Sequence, residues 1–219
     1  MAGIQGAAPL GGVSGAKPLT LLHSPDWPAN AGCRGDVTTA ASEGRSRLPD
    51  AQQREARKTM KIKVGDTLPS MKLMMATPEG PKEVSTDDIF KGKKVVLFAV
   101  PGAFTPTCSA RHLPGFVQHA DAIKAKGVDT VACISVNDAF VMGAWGKDQG
   151  TEGKVTMLAD GAATFAKAVG LELDLNARGM GWRSQRYALV AEDGKVTHLA
   201  VEPPGGFDVS KAESVMAAL

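Results

Sequence analysis

Six consecutive residues without a polar side chain, Val95-Val96-Leu97-Phe98-Ala99-Val100, constrain the fold of this 219-residue chain more than any other segment. The run predicts a buried strand over residues 94–100. Residues 128–136 form a second, near-continuous apolar strand of the sort buried on both faces of a parallel sheet. Such strands belong to the sheet of an α/β fold with helices on both sides. Between them stands Pro101-Gly102-Ala103-Phe104-Thr105-Pro106-Thr107-Cys108, a short loop leading into a helix. Thr105 suits the cap of that helix, and Pro106 suits its first turn, where the missing N–H sacrifices no hydrogen bond.

Counted from that cap, Cys108 is the third helical residue. Backbone N–H groups there lack intrahelical partners, and the helix dipole places partial positive charge beside the sulfur. A thiol in such a setting ionises readily, and the thiolate is the form that attacks electrophiles. Most lone cysteines simply pack in a core, but the strand–loop–Thr-Pro-x-Cys–helix context makes Cys108 a candidate nucleophile. Thr105, three residues earlier, can donate its hydroxyl to the thiolate.

The remaining pattern alternates strands and helices. Short β segments at 72–75 and 82–84 precede Ser85-Thr86-Asp87-Asp88, which caps a helical turn. The helix from Pro106 has an apolar face at Phe116, Ala120 and Ile123, stops at Gly127, and is expected to kink at Pro114-Gly115. A helix over 138–149, a strand over 155–160 and a helix over 164–169 follow. Residues 186–191 and 195–202 then read as an antiparallel hairpin around Asp193-Gly194. The last helix, 210–219, opens with Ser210-x-x-Glu213, a capping-box spacing.

Residues 1–59 do not read as a domain: eight Gly, five Pro and ten Ala are spread through them without sustained periodicity. They lack the basic start and long apolar core of a secretory signal. Two readings stay open, a translated leader upstream of Met60 or a mitochondrial or plastid transit segment, since the first 25 residues hold no acid. Residues 60–219 suit one domain with a sizeable core. That domain is electrically balanced, with 18 basic and 18 acidic residues, and gives no sign of nucleic-acid binding. No apolar run is long enough to span a bilayer. Three cysteines, with Cys33 in the leader, make no disulfide framework, so a reducing compartment such as the cytoplasm is expected. No Cys-x-x-Cys or Cys/His cluster has the spacing of a metal site.

Pro101, Thr105 and Cys108 reproduce the P-x-x-x-T-x-x-C signature of peroxiredoxins, and the stretch through His112-Leu113-Pro114-Gly115-Phe116 resembles the peroxiredoxin-5 and plant type II subfamily. The likeness extends over residues 60–219. It takes in Gly65-Asp66-x-x-Pro69, Ser135-Val136-Asn137-Asp138-Ala139-Phe140, Trp145-Gly146-Lys147, Arg183-x-x-Arg186 and Glu202-Pro203. The resemblance implies a thioredoxin-like α/β fold, a central mixed sheet flanked by helices. It implies a homodimer that reduces hydrogen peroxide and alkyl hydroperoxides through a cysteine sulfenic acid, without metal, haem or flavin. Glutathione with glutaredoxin, or thioredoxin, would supply electrons. Cys108 would be the peroxidatic nucleophile, Thr105 would bond the thiolate and the peroxide, and Pro101 would shape and dry the pocket.

A cation is also needed, and Arg183 and Arg186 lie three apart, so in one regular strand they face opposite sides. The family match favours Arg186. Arg183 is then a supporting or surface residue. His112, one turn beyond Cys108, reads as structural, bonding a backbone carbonyl, because helical side chains lean towards the N-terminus. Phe104, Phe140 and Trp145 are candidates for a hydrophobic collar and dimer contact, with ordinary core packing the alternative for Phe140. Cys133 sits mid-strand, either as packing or as a resolving thiol like the second cysteine of plant members. Residues 205–210, where animal members carry a resolving cysteine, contain none. A peroxide sensor or relay acting through mixed disulfides would use the same Cys108. A thioredoxin-type oxidoreductase is disfavoured by the missing Cys-x-x-Cys.

Overall fold

The computed structural model describes residues 61–219, and the expected leader over 1–59, Cys33 included, lies outside the described residues. A hairpin comes first, β1 (Lys72–Thr77) and β2 (Gly80–Ser85), followed by the short helix α1 (Thr86–Phe90). The expected cap is present: the Ser85 hydroxyl accepts from the Asp87 N–H, and the Asp88 carboxylate accepts from the Ser85 N–H. Then come β3 (Lys94–Val100), α2 (Leu113–Ala125), β4 (Thr130–Ser135), α3 (Ala139–Asp148), β5 (Thr156–Ala159) and α4 (Thr164–Ala168). A small hairpin of β6 (Glu172–Leu175) and β7 (Gly181–Ser184) precedes a larger one of β8 (Tyr187–Glu192) and β9 (Lys195–Val201). Helix α5 (Ala212–Ala217) ends the series.

Seven strands form one mixed sheet in the order β2-β1-β5-β4-β3-β8-β9. Strands β3, β4 and β5 run parallel, while β1 pairs antiparallel with β5 and β8 antiparallel with β3. Strand β3 is thus hydrogen-bonded along both edges, and its side chains divide between two cores by the two-residue period of a strand. Val96, Phe98 and Val100 pack with Leu113, Phe116, Met142, Trp145 and Val215 from α2, α3 and α5. Val95, Leu97 and Ala99 pack with Phe90, Phe165 and Tyr187 on the opposite face. The mixed sheet between helical layers is the expected architecture. Phe98 anchors the first core, stacked on Phe116 with ring centroids 3.9 Å apart and planes 4° from parallel.

Four expectations are corrected. Helical residues begin at Pro106, but residues Cys108–His112 form a π-helical turn in which the Leu113 N–H donates to the Cys108 carbonyl. Pro114, with no N–H to offer the preceding turn, is the second residue of α2, so the ladder is disturbed upstream of the proline, in the turn that ends at His112. Second, Thr105 does stand at the helix start, since its carbonyl accepts from the Ser109 N–H. Its hydroxyl nevertheless bonds Cys108 and the Gly102 carbonyl instead of capping the backbone. Third, Ser210 does not cap the last helix; α5 starts after Lys211, and the Ser210 hydroxyl donates to Glu202. Fourth, Arg183 and Arg186 do not share a strand. Arg183 lies in β7, whereas Arg186 immediately precedes β8 of the large sheet. The β6–β7 hairpin was not expected, because its four-residue strands are short and mostly half-exposed.

The stacked core supports a first prediction. Phe98→Ala should lower unfolding stability by about 3–5 kcal/mol, the usual cost of truncating a fully buried phenylalanine. Phe140→Ala, at a side chain 74% exposed, should stay within about 0.5 kcal/mol. Urea denaturation monitored by circular dichroism gives both values.

Candidate active site

The loop between β3 and the helix brings its residues onto one sulfur. Cys108 is fully buried. The Thr105 hydroxyl oxygen lies 2.8 Å from the Cys108 Sγ and 2.9 Å from the Gly102 carbonyl oxygen. That hydroxyl carries one proton. With a neutral thiol it donates to the Gly102 carbonyl, which can only accept; with a thiolate it can turn to the sulfur. On the other side, Arg186 Nη2 donates to Cys108 Sγ at 3.5 Å. Pro101 follows β3 directly and is half-buried. The structure therefore brings Cys108, Thr105 and Arg186 into contact, with Pro101 at the root of their loop.

The loop is tied down from outside. Asn137, just beyond β4, accepts at its Oδ1 from the Ala103 N–H at 3.0 Å and from the Ser135 hydroxyl at 2.8 Å. Arg183 donates through Nε to the Met180 carbonyl and through Nη1 to the Val136 carbonyl. It braces the two loops and does not reach the sulfur. Gly102 permits this closeness: a Cβ there would lie 3.2 Å from Thr105 Cγ2 and 3.3 Å from Arg183 Nη1. Phe104 takes a left-handed backbone with φ 58°, a strained choice for a bulky residue. Its ring is 55% exposed and lies 6.4 Å from that of Trp145. Trp145 is buried and donates its indole N–H to the Ser109 hydroxyl. Phe140 lies on the surface, not in the core.

His112 holds the cation. Its Nε2 lies 3.0 Å from the Ser210 carbonyl, which can only accept, so Nε2 carries the proton. Its Nδ1, left bare, accepts from Arg186 Nη1 at 2.9 Å. Burial, together with the adjacent guanidinium, pushes the His112 pKa down to about 3. The imidazole is therefore neutral at working pH and orients Arg186 without neutralising it. The expected carbonyl bond is present; the bond to Arg186 was not legible, because residues 112 and 186 meet only through the sheet. Asn137 was likewise missed as a loop anchor, although it stands inside the quoted stretch from Ser135. Cys133 is the β4 partner of Phe98, on the same side of the sheet as Cys108, and both thiols are free. Burial raises the Cys133 pKa, with the nearby Cys108 adding to the shift, and so keeps that thiol protonated.

The buried imidazole makes stability depend on pH. On unfolding, His112 recovers its ordinary pKa of 6.5. Between that value and about 3 the unfolded chain binds a proton that the folded chain refuses, so this contribution is complete above pH 6.5 and declines as pH falls. Wild-type protein should lose stability between about pH 7 and pH 5 more steeply than His112→Gln, by up to about 1.4 kcal/mol per pH unit. Urea midpoints at intermediate pH values measure the difference. Glu202, whose pKa lies below its usual 4.5, does not interfere in that window.

A family model described as Redoxin matches residues 63–216. Peroxiredoxin-2C of Oryza sativa subsp. japonica is 51% identical over 159 residues, covering 72% of this chain and 98% of the relative. The chloroplastic peroxiredoxin-2E of Arabidopsis thaliana is 50% identical over 165 residues, 74% of this chain and 70% of the relative. Among solved structures, reduced Prx3 of Vibrio vulnificus in complex with hydrogen peroxide is similar with a TM-score of 0.69 at 56% identity, covering 72% of this chain and 98% of that one. Peroxiredoxin 5 of Alvinella pompejana gives 0.64 at 38% identity, over 72% and 97% of the two chains. With a family model matching residues 63–216 and about half of some 160 aligned residues identical to those of plant peroxiredoxins, this chain belongs to the peroxiredoxins, thiol-dependent peroxidases of thioredoxin-like fold within the redoxin family.

Proposed function

We propose that Cys108 is the peroxidatic nucleophile, assisted by Thr105, Arg186 and Pro101. The observation that carries this reading is the pair of donors on one sulfur, the Thr105 hydroxyl at 2.8 Å and the Arg186 guanidinium at 3.5 Å. Both can hydrogen-bond a charged sulfur, and the guanidinium brings a full positive charge beside it. The thiolate attacks one oxygen of the peroxide; the S–O bond forms as the O–O bond breaks. Sulfur is oxidised by two electrons to Cys–SOH, and the departing oxygen leaves as water or an alcohol after taking a proton. The same two donors face the oxygens on which charge develops. Hydrogen peroxide, present in the solved Vibrio vulnificus complex, and small alkyl hydroperoxides are the substrates. Pro101, lacking an N–H, adds no backbone donor to the loop wall and places an apolar ring there.

The sulfenic acid is then resolved by an external thiol, glutathione with glutaredoxin ahead of thioredoxin. Cys133 supports this order, since a buried, protonated thiol is a poor nucleophile. Homodimerisation belongs to the same proposal, and the exposed rings of Phe104, in the loop after β3, and Phe140, in the first turn of α3, supply apolar surface for it. The setting is a reducing one, the cytoplasm, with a mitochondrion or plastid the alternative if residues 1–59 are a transit segment; the chloroplastic relatives favour that alternative.

Cys108→Ser should abolish peroxide reduction. Arg186→Ala should slow peroxide attack by about a hundredfold or more, and Arg183→Ala, which loosens the loop without touching the sulfur, by much less. Stopped-flow measurement on the reduced protein separates them, and equal losses would place the working cation wrongly. Cys133→Ser should keep most turnover with glutathione and glutaredoxin. A stoichiometric Cys108–Cys133 disulfide in the mass spectrum of peroxide-treated protein, with that turnover gone, would overturn external resolution.

A further inference from the structure

Glu202 lies far along the chain from Cys108, at the end of β9, and the reaction as described makes no use of it. Its carboxylate is nonetheless buried and heavily engaged. One oxygen, Oε1, accepts from the Asp208 N–H at 2.7 Å, the Ser210 N–H at 2.8 Å and the Ser210 hydroxyl at 2.9 Å. Burial alone would raise its pKa, but these bonds bring it below the ordinary value, so the group is ionised. Three donors on one oxygen close residues 203–209 into a loop and fix the Ser210 peptide.

We infer that Glu202 is a positioning residue for peroxide reduction, acting on Arg186 through the Ser210 carbonyl and His112. The Ser210 carbonyl receives the His112 proton at Nε2, which leaves Nδ1 to accept from Arg186, which in turn donates to Cys108 Sγ. The imidazole has two tautomers, and only the one protonated at Nε2 leaves an acceptor facing the guanidinium. A displaced Ser210 carbonyl removes the reason for that tautomer. The same loop reaches the pair by a second route: the Phe207 ring meets His112 edge-on at 5.1 Å and lies 5.7 Å from the Arg186 guanidinium carbon. Arg111 covers the Phe207 ring at 4.8 Å. Glu202 thus touches no reacting atom and governs one that does. This rests on Cys108 being the reacting thiol.

The test uses the full chain, pre-reduced, with hydrogen peroxide as probe. Glu202→Ala should slow the second-order reaction about tenfold or more, the scale expected when a catalytic charge is misplaced by a fraction of an ångström to an ångström. Glu202→Gln keeps an acceptor at the same position and should remain within about threefold of wild type. Gly206→Ala removes no polar group, but its Cβ would fall 2.9 Å from Glu202 Oε2 and from Pro203 Cγ. Displacing the carboxylate in this way should also slow the reaction, and the variant keeps the inference testable if Glu202→Ala fails to fold. Nitrogen NMR of His112 should show a fixed Nε2–H tautomer in wild type and Glu202→Gln, lost in the slowed variants. An unchanged rate in folded Glu202→Ala overturns the inference. Equal slowing in Glu202→Gln, or slowing with the tautomer intact, does so as well. Cys108→Ser run in parallel distinguishes the underlying assignment: reaction surviving there removes the nucleophile itself, whereas an inert Cys108→Ser beside an unaffected Glu202→Ala defeats only the role of Glu202.

Discussion

Strand β3 is paired on both edges, with β4 in parallel and β8 in antiparallel. It has no free backbone to offer water and no face that is not core, so every residue from Val95 to Val100 must be apolar and the strand cannot slip. A register shift of one residue would exchange the two cores and carry Phe98 away from Phe116. That rigidity aims the loop that follows. Gly102 through Cys108 leave the sheet between the Asn137 amide, which holds the Ala103 N–H, and the Arg183 guanidinium, which lies against Gly102. The strain at Phe104 is sustained because both ends of the loop are held.

The electrostatic design follows from what Arg186 is not bonded to. Among the described residues its guanidinium forms no ion pair with a carboxylate; its partners are the His112 nitrogen and the Cys108 sulfur. A carboxylate there would claim the charge and satisfy the guanidinium before any thiolate formed. A neutral imidazole orients the group while leaving its charge for sulfur. Burial is what keeps the imidazole neutral, with the guanidinium contributing in the same direction. Orientation and charge are thereby separated: His112 and the Ser210 carbonyl supply the first, Arg186 the second. Cys133 shows the opposite use of burial. Within the same core, with no hydrogen-bond donor at its sulfur among the described residues, it is held as a thiol by burial.

Much of this was legible from local chemistry. Apolar runs flanked by turn residues marked β3, β4 and the Asp193-Gly194 hairpin, because burial on both faces and positive φ at the turn leave few alternatives. The Thr-Pro-x-Cys spacing placed a hydroxyl one turn from a sulfur, and their contact depends only on the local path of the chain. Ser210 shows where local reading fails. Its spacing to Glu213 satisfies a capping box, yet a buried carboxylate brought across by β9 offers the hydroxyl and N–H a stronger partner.

The sequence by itself determined the strands of the large sheet, the place of Cys108 at a helix start and the hydroxyl beside it, since these follow from periodicity and from contacts within four residues. Local spacing left the two arginines unseparated and only the family match favoured Arg186; tertiary structure alone decided which tautomer His112 adopts and what Ser210 serves. Residues 108, 112, 186, 202 and 210 come together from the helix after β3, the start of β8, the end of β9 and the approach to α5. Only the pairing of β3 with β8 and of β8 with β9 brings those segments side by side. Side chains separated by 74 residues leave no mark in local spacing, because the free energy that joins them comes from the sheet that carries them and not from the residues around each one.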